Sequence, residues 1–350
     1  MGRGFGRWFN KGISVLVFMK KSWNQVKKVL EKQKYAIVGN HSGVQICLWT
    51  KNSLNKRGVC WKEKFYGVKS HRCCQMSPSV MWCENSCLHC WRPIEMNLGS
   101  SLDKVDEPIE IIEGVIKARE KLLQGYNGNP VVSEKKYKEA IDPTLFTFSL
   151  SGEPTIYPRL GEMIKELRKR EKITFLVTNG LNPEVIEKLD EEGNLPTQIT
   201  VSTNAPNKKL FKIWHRSSKK NAWEKFNETV ELMKKLKGRV RRIIRLTLVK
   251  PGKEGKFPKI TNMSDENVFE YAEIIRKAEP NFVHVKGFKS LGFARERMGY
   301  DKQPRHYEVK RYAEKLVNEL GDEWKILGDD KRSAVVLLGK SKMGMKIKKV

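Results

Sequence analysis

Two hydrophobic periods alternate along most of the chain. Short apolar runs, typical of buried strands, are separated by longer segments in which apolar residues recur every three or four positions. This alternation predicts an α/β fold with a mainly parallel sheet. The predicted strands are 79–82, 145–150, 173–177, 198–202, 243–249 and 282–285, and the predicted helices are 108–124, 157–170, 183–189, 223–236, 265–278 and 307–320.

Turn-forming segments follow two of these strands, Ser151-Gly152-Glu153-Pro154 after the second and Thr178-Asn179-Gly180 after the third. In α/β barrels the loops at the carboxyl ends of the strands form the active site. The order of elements therefore predicts a barrel or partial barrel. A doubly wound sheet is the alternative, since periodicity does not reveal strand order.

The charge balance narrows the class of partner. Lys and Arg number 68 against 40 Asp and Glu, a formal net charge of +28. A heat-adapted surface would explain many charges but not their sign, so the excess predicts a polyanionic partner such as a nucleic acid.

Apolar runs are too short for a membrane span, which needs about 20 residues. The segment 13–19 comes nearest, and it is followed by Lys20, Lys21, Lys27 and Lys28. We interpret residues 1–34 as a basic arm that includes a helix, and the protein as cytoplasmic.

All seven cysteines lie between Cys47 and Cys90. Their number is odd, the chain is large and no secretory signal is evident, so a disulfide framework is not expected. Metal binding is the better interpretation.

The downstream cysteines Cys83, Cys87 and Cys90 have Cys-x3-Cys-x2-Cys spacing. Three thiolates can hold three irons of a 4Fe–4S cube and leave the fourth iron open. S-adenosylmethionine (SAM) can chelate that iron, and its reductive cleavage gives a 5′-deoxyadenosyl radical. The alternative is a zinc site that combines one Cys-x2-Cys pair with Cys73, Cys74 or His71.

The upstream cysteines Cys47, Cys60 and Cys73 are spaced thirteen residues apart twice. They supply three further thiolates and predict a second 4Fe–4S cluster. An open iron there would be free to bind a substrate, unless Cys74 or His71 completes the set.

The downstream loop, placed after a predicted strand, resembles the radical SAM superfamily. The resemblance implies a partial (α/β)6 TIM-like barrel. His89 departs from the pattern, because the residue before the last cysteine is usually aromatic, but imidazole is also planar. The same resemblance implies that turns after successive strands line SAM, namely Ser151, Gly152, Glu153, Thr178, Asn179, Ser202 and Asn204.

Taken with both cysteine triads, the segments 76–83 and 91–93 resemble the 4-demethylwyosine synthase family of tRNA-modifying enzymes, in its stand-alone archaeal type. The likeness runs from about residue 35 to about residue 297. It implies a division into a basic arm (1–34), a cysteine-rich second-cluster region (35–76), a radical SAM barrel (77–320) and a C-terminal extension with a basic tail (321–350).

This resemblance implies the condensation of pyruvate with N1-methylguanosine at position 37 of phenylalanine tRNA. Lys62, two residues after Cys60, matches the family lysine that holds pyruvate as a Schiff base, and Lys64 is the reserve candidate. The resemblance also implies an external electron donor of the flavodoxin or ferredoxin type. We expect a monomer.

Basic residues with interleaved aromatic side chains predict where the anticodon loop binds, since exposed rings stack on unpaired bases. Two other functions stay open, a radical SAM enzyme acting on a peptide or small metabolite and a zinc-bearing RNA-binding protein. The candidate RNA contacts are Lys208, Lys209, Arg216, Lys219, Lys220, Arg241, Arg242, Lys286 and Lys289.

Overall fold

The computed structural model describes residues 22–255, 257 and 259–347. Within these residues, strands join into one sheet in the order β1-β2-β3-β4-β5-β6-β7-β8-β10-β9. The strands are β1 (Ala36–Val38), β2 (Ser42–Gln45), β3 (Cys73–Ser77), β4 (Leu145–Phe148), β5 (Ile173–Thr178), β6 (Gln198–Ser202), β7 (Arg241–Leu248), β8 (Phe282–Gly287), β9 (Lys325–Asp330) and β10 (Val335–Gly339).

The six central strands, β3 to β8, are parallel and lie in chain order. A doubly wound sheet would reverse its strand order at a switch point. This order has no reversal, so the partial barrel is confirmed and the doubly wound alternative is not. Antiparallel strands extend both edges, β2 and β1 beside β3, and β10 and β9 beside β8.

Helices connect successive parallel strands. The six predicted helices are present, with ends shifted by at most three residues; Pro154–Ile156 forms a short 3-10 turn that delays the start of the next helix to Leu160. The described helices are α1 (Trp23–Lys32), α2 (Leu48–Leu54), α3 (Trp61–Tyr66), α4 (Pro108–Leu123), α5 (Glu134–Ile141), α6 (Leu160–Lys169), α7 (Pro183–Glu191), α8 (Lys208–His215), α9 (Ala222–Lys235), α10 (Asp265–Ala278), α11 (Phe293–Met298) and α12 (His306–Leu320).

The two faces of the sheet bury different partners. On the outer face, alternate residues such as Cys74 and Phe146 pack against the connecting helices. On the inner face, their neighbours Cys73 and Leu145 pack with the short helix α3. Side chains alternate between faces along a strand, so every second residue of β3 to β8 points inward.

The sheet curves around α3. Lys62 of this helix contacts β3 and β4, whereas the Tyr66 ring lies 6.4 Å from Phe175 of β5 and 5.8 Å from His284 of β8. Six residues of helix span only about 9 Å, but six flat strands would span about 24 Å. Helix α3 therefore lies inside the partial barrel, near the amino ends of its strands.

The first predicted strand was wrong. The first parallel strand is β3, and residues 79–82 form a turn in which Met81 has φ of 69°. Their apolar side chains made this segment resemble a strand, but Val80 and Met81 pack with Val26 and Leu30 of α1.

The sheet is continuous across the predicted domain limits. The limit between residues 76 and 77 falls inside β3, so the cysteine-rich region belongs to the same sheet as the barrel. Near the C-terminal end of the described residues, Ile347 donates from its backbone to the Tyr66 carbonyl at 3.0 Å, which places this part of the chain against α3.

At the amino end, α1 confirms a helix that includes Lys27 and Lys28, and it packs Trp23 against Trp82 at 5.0 Å between ring centroids. The predicted arm residues 1–21, with Lys20 and Lys21, lie outside the described residues. Across the part of the chain that the structure describes, none of the helices combines the length and the hydropathy that a bilayer span requires.

Candidate active site

The loop that carries Cys83, Cys87 and Cys90 follows β3 at the carboxyl edge of the sheet. Helix α8 holds its backbone, since Ser86 donates to the His215 carbonyl at 2.8 Å and Leu88 to the Trp214 carbonyl at 3.0 Å. From the other side, Arg297 is 6 % exposed and donates to the carbonyls of Leu88 (3.2 Å) and Cys90. The loop backbone is therefore fixed from both sides by α8 and Arg297.

Polar groups surround these sulfurs. The Asn85 amide donates to the Cys83 sulfur at 3.4 Å, and the Asn179 side chain approaches it at 3.8 Å. His215 Nδ1 lies 3.1 Å from the Cys87 sulfur. Burial raises the pKa of the Cys83, Cys87 and Cys90 thiols, and metal binding releases their protons.

The three thiols fit a 4Fe–4S cluster. They lie in one loop and none forms a disulfide. A 4Fe–4S cube takes each of three thiolates at a separate iron and leaves the fourth iron open, and three cysteines of one loop can supply such a donor set.

Glu153 joins two of the turns predicted to line SAM. Its carboxylate accepts hydrogen bonds from the Thr178 hydroxyl and the Asn179 amide, both at 2.7 Å. Burial, followed by the charge of Glu84, raises the pKa of Glu153 to about 7. These contacts bring the turns after β4 and β5 together beside the cysteine loop.

Gly152 allows the turn after β4 to pass beneath the cysteine loop. Its φ is +70°, and a Cβ at this position would lie 1.9 Å from the Ser79 carbonyl oxygen. Only glycine fits both the backbone conformation and the space.

Other predicted SAM contacts also lie at this edge, and one of their polar atoms has no partner among the described residues. Asn204 Oδ1 is buried and unpaired. Ser202 accepts a hydrogen bond from Arg245 at 2.7 Å. Unpaired buried polar atoms are rare in folded proteins, so these groups fit a polar ligand such as SAM.

The upstream triad meets at the other end of β3. Cys47 and Cys60 are the N-caps of α2 and α3, and Cys73 begins β3. The three thiols line one small cavity together with Lys62. The donor set is three thiols on separate elements, which suits a second cluster.

Cys74 and His71, the two residues that could have completed the ligand set of the second cluster, have other surroundings. Cys74 is fully buried on the outer face of β3, among the connecting helices. His71 bonds Glu139 at 2.7 Å through Nε2.

Lys62 points into the barrel, and Lys64 does not. The Lys62 ammonium donates to the Cys73 sulfur and to the Thr147 hydroxyl, both at 3.3 Å. Burial lowers the pKa of Lys62, but the charges of the neighbouring sulfurs prevail and raise it above its ordinary value. Lys64 is 48 % exposed and pairs with Asp330.

The candidate RNA contacts divide into three groups. Lys208, Lys209 and Lys220 are exposed on and after α8, next to the cysteine loop. Arg216 and Lys219 are half-buried and hold that loop and its neighbour, through the carbonyls of Ser86 (3.1 Å) and Leu181 (2.9 Å) respectively. The third group contains the remaining candidates, Arg241, Arg242, Lys286 and Lys289.

The positions of Arg241 and Arg242 do not fit the prediction that they contact RNA. Arg242 is 2 % exposed and donates to the Met233 carbonyl at 2.9 Å. Arg241 begins β7 at the amino edge, with its guanidinium 4.0 Å above the Tyr66 ring. Neither side chain is free for a phosphate, because the Arg242 guanidinium donates to a buried carbonyl and the Arg241 guanidinium packs on the Tyr66 ring.

Lys286 is also misplaced as a surface contact, since it lies on the inner face of β8. Lys289 follows β8 and is half-buried.

The sequence pattern missed several residues that build the site. Trp214 and His215 belong to α8, which was not predicted, although the N-cap Asn207 and the apolar positions Phe211 and Trp214 signal such a helix. Arg297, 207 residues along the chain from Cys90, gave no local signal.

Comparisons with known proteins agree with this geometry. Residues 78–263 match the radical SAM superfamily, and residues 277–340 match the family described as wyosine base formation. The S-adenosyl-L-methionine-dependent tRNA 4-demethylwyosine synthases of Pyrococcus horikoshii and Pyrococcus abyssi are each 42 % identical over 297 residues, which cover 85 % of this chain and 83 % of theirs.

A solved structure of TYW1 with a lysine-pyruvate adduct bound aligns with a TM-score of 0.76 and 31 % identity, covering 92 % of this chain and 97 % of that one. Fold, site geometry and sequence identity thus point the same way. The chain is a radical SAM enzyme and belongs to the S-adenosyl-L-methionine-dependent tRNA 4-demethylwyosine synthase family.

Proposed function

We propose that this enzyme condenses pyruvate with N1-methylguanosine at position 37 of phenylalanine tRNA to form 4-demethylwyosine. The observation that carries the proposal is the position of Lys62, inside the barrel and beside the three cysteines of the upstream triad. The solved TYW1 structure with a lysine-pyruvate adduct supports the same chemistry.

Lys62 would hold pyruvate as an imine. Its amine attacks the keto carbon, a carbon–nitrogen bond forms, and the keto oxygen leaves as water. The site around it is enclosed by Thr147, Cys73 and the ring of Phe175, 5.9 Å away. Lys64 cannot take this role without leaving Asp330 and turning away from solvent.

The methylated base would enter the barrel at the carboxyl edge of the sheet, opposite the end where Lys62 holds pyruvate. If SAM were bound at the carboxyl edge, where Glu153, Asn179 and Asn204 would hold it, it would supply a 5′-deoxyadenosyl radical for hydrogen abstraction from the N-methyl group. The loop of Cys83 follows the carboxyl end of β3, whereas Cys73 begins the same strand. Four residues of strand advance about 13 Å, so the barrel interior separates the SAM side from the pyruvate side. The guanine must leave the stacked anticodon loop to enter it.

Product analysis tests the proposal. Anaerobic enzyme is incubated with SAM, pyruvate, reductant and tRNA that carries N1-methylguanosine, and the nucleosides are then identified by mass. We expect the tricyclic nucleoside from the wild type and from Lys64→Arg, but not from Lys62→Arg, because a guanidinium stays protonated. Product from Lys62→Arg would contradict the lysine assignment, and no product from any variant would contradict the proposed reaction.

We infer that the upstream triad Cys47, Cys60 and Cys73 holds a second 4Fe–4S cluster. Iron and labile sulfide analysis of single variants tests this. We expect Cys87→Ala and Cys60→Ala each to lose one cluster and keep the other, and only Cys60→Ala to keep SAM cleavage. The matched control is Cys74→Ala, whose thiol faces the helices, and it should keep both clusters. Complete loss of iron in either single variant, with folding intact, would indicate one shared site.

The partners follow from this chemistry. Reduction of the SAM cluster requires an external donor, for which we propose a flavodoxin or ferredoxin. We also propose a cytoplasmic monomer that binds the anticodon loop with the exposed lysines around α8, Lys209, Lys212 and Lys220.

A further inference from the structure

A buried histidine lies against one thiol of the downstream cysteines. His215, the last residue of α8, is 3 % exposed, and its Nδ1 lies 3.1 Å from the Cys87 sulfur. The two residues are 128 positions apart in the chain, so the fold and not the local sequence brings them together. The backbone carbonyl of His215 also accepts a hydrogen bond from the Ser86 amide at 2.8 Å. Both the side chain and the backbone of His215 therefore contact the cysteine loop.

Neighbouring aromatic side chains fix the orientation of the His215 ring. Phe211 lies one helical turn earlier on α8, and its ring centroid is 4.4 Å from that of His215. Phe211 in turn packs against Trp223 and Phe226 of α9, with centroid distances of 5.3 and 5.5 Å. A side chain that is already ordered by packing loses little further entropy when it forms a hydrogen bond. The ring of His215 is thus held with Nδ1 directed at the sulfur.

The chemistry of the sulfur decides which nitrogen of His215 carries the proton. A thiolate that binds iron has no proton of its own, so it can only accept a hydrogen bond. Nδ1 must therefore donate, and the neutral ring then has its bare nitrogen at Nε2. Nε2 is buried and has no hydrogen-bond partner among the described residues, so nothing in that part of the chain favours the opposite tautomer.

We propose that His215 is a positioning residue that donates a hydrogen bond from Nδ1 to the Cys87 thiolate and thereby raises the reduction potential of the 4Fe–4S cluster that binds SAM. Reduction adds one electron, and the more negative sulfurs of a reduced cluster attract a hydrogen-bond donor more strongly. Hydrogen bonds to the sulfurs are among the features that set the potential of such clusters. Cys83, Cys87 and Cys90 must hold this cluster for His215 to have the role, whereas neither pyruvate nor tRNA takes part in it.

Redox titration followed by electron paramagnetic resonance tests this role. All variants carry Cys60→Ala, so that only the cluster of the downstream cysteines contributes to the signal. His215→Phe keeps a ring against Phe211 but removes the donor. We expect the ratio of reduced to oxidised cluster at a fixed potential to fall roughly three- to tenfold, which is about 30–60 mV for a one-electron couple. His215→Asn should recover most of this loss, because its amide nitrogen is separated from the backbone by the same number of bonds as Nδ1.

His89 supplies a matched control within the cysteine loop. It lies between Cys87 and Cys90, but its Nδ1 accepts a hydrogen bond from the Trp214 indole at 2.6 Å and therefore cannot donate to a sulfur. His89→Phe removes an imidazole while it keeps a ring of similar size. We expect this variant to leave the ratio of reduced to oxidised cluster nearly unchanged. A shift as large as that of His215→Phe would contradict a specific role of His215.

Pulsed electron paramagnetic resonance gives a second measurement that does not depend on a His215 variant. Protein that carries Cys60→Ala and histidine labelled with nitrogen-15 should show hyperfine coupling between the reduced cluster and a histidine nitrogen, and His89→Phe should keep that coupling. The same measurement and His215→Asn decide the question if His215→Phe does not retain its cluster.

Three results would overturn the proposal. They are the absence of coupling in protein that retains His215, an unchanged potential in His215→Phe, and equal shifts of the potential in His215→Phe and His215→Asn. Protein with Cys60→Ala that holds no iron at all would instead contradict the assignment of a cluster to Cys83, Cys87 and Cys90. Loss of the tricyclic nucleoside with the coupling and the potentials as expected would contradict only the proposed reaction, so that the failures are distinct.

Discussion

A single glycine, Gly152, sets how closely the turn after β4 approaches the segment that leads into the cysteine loop. Gly152 has φ of +70° and Gly128, in an exposed loop, has φ of +72°. A Cβ at Gly152 would meet the Ser79 carbonyl at 1.9 Å, whereas at Gly128 it would meet nothing within 4 Å. The pair therefore separates backbone strain from steric contact.

We expect Gly152→Ala to lower the thermal midpoint far more than Gly128→Ala. Left-handed backbone costs a non-glycine residue about 1–2 kcal/mol, and both variants share that cost. The contact with Ser79 adds to it only at Gly152, where it should also displace the cysteine loop and reduce iron content. Differential scanning fluorimetry and iron analysis give the comparison. Equal shifts in both variants would mean that the turn relaxes freely.

The buried carboxyl of Glu153 should make the free energy of unfolding depend on pH. Burial and the charge of Glu84 raise its pKa to about 7, while an unfolded glutamate titrates near 4.5. Between these values the folded protein holds a proton that the unfolded chain has released, so the free energy of unfolding falls as pH rises. Urea unfolding of cluster-free protein at pH 5 and pH 8 should show a smaller loss for Glu153→Gln than for the wild type. Parallel losses would rule out this group as the source.

Among the elements, the short helix α8 anchors the cysteine loop. Its last turn supplies the Trp214 and His215 carbonyls to the cysteine loop, and Trp214 is fully buried. Removal of a buried Trp side chain costs about 3–5 kcal/mol. We expect Trp214→Ala to lose stability and the SAM cluster while the upstream cluster stays.

The matched control for this variant is Ile213→Ala on the same helix, because Ile213 is 43 % exposed. It should keep both clusters and nearly full stability. If Trp214→Ala kept its SAM cluster, the anchoring of the loop by α8 would be disproved.

The elements also show what the sequence pattern can and cannot reveal. Strands such as Ile173–Thr178 were predictable because their apolar runs are buried on both faces. Strand β3 was not, since its sequence Cys-Cys-Gln-Met-Ser has few strand-forming residues and its register comes from pairing with β4. Likewise, charge is visible at Arg242 and Lys286, but the face that each side chain occupies depends on strand register. The two cysteine triads could be recognised because their spacing is local, whereas Lys62 was singled out by its resemblance to the family lysine near Cys60.

At the scale of the whole molecule, the net charge of +28 predicts salt-dependent binding of tRNA. Each phosphate that a lysine neutralises releases counterions, which lowers affinity as salt rises. The structure directs the test to α8, which carries the exposed Lys209 and Lys212 and whose last turn contacts the cysteine loop. We expect the double change to Glu to weaken binding and to flatten its salt dependence.

Lys235→Glu with Lys277→Glu is the control of equal charge change. These lysines lie at the ends of α9 and α10, which return to the amino edge of the sheet, opposite the barrel entrance. Equal loss of affinity in both double variants would indicate a diffuse electrostatic attraction instead of a defined interface.

The packing of the C-terminal segment on α3 has a consequence for biosynthesis. Lys346 donates to the Lys64 carbonyl across 282 positions of the chain, and Arg241 donates to the Met345 carbonyl at 3.0 Å. A ribosome adding roughly 5–20 residues each second therefore exposes the helix of Lys62 long before its cover is made. A chain that stops before Gly344 should accordingly show faster amide hydrogen exchange in α3 than the longer chain, because the Lys64 and Tyr66 carbonyls lose their C-terminal partners.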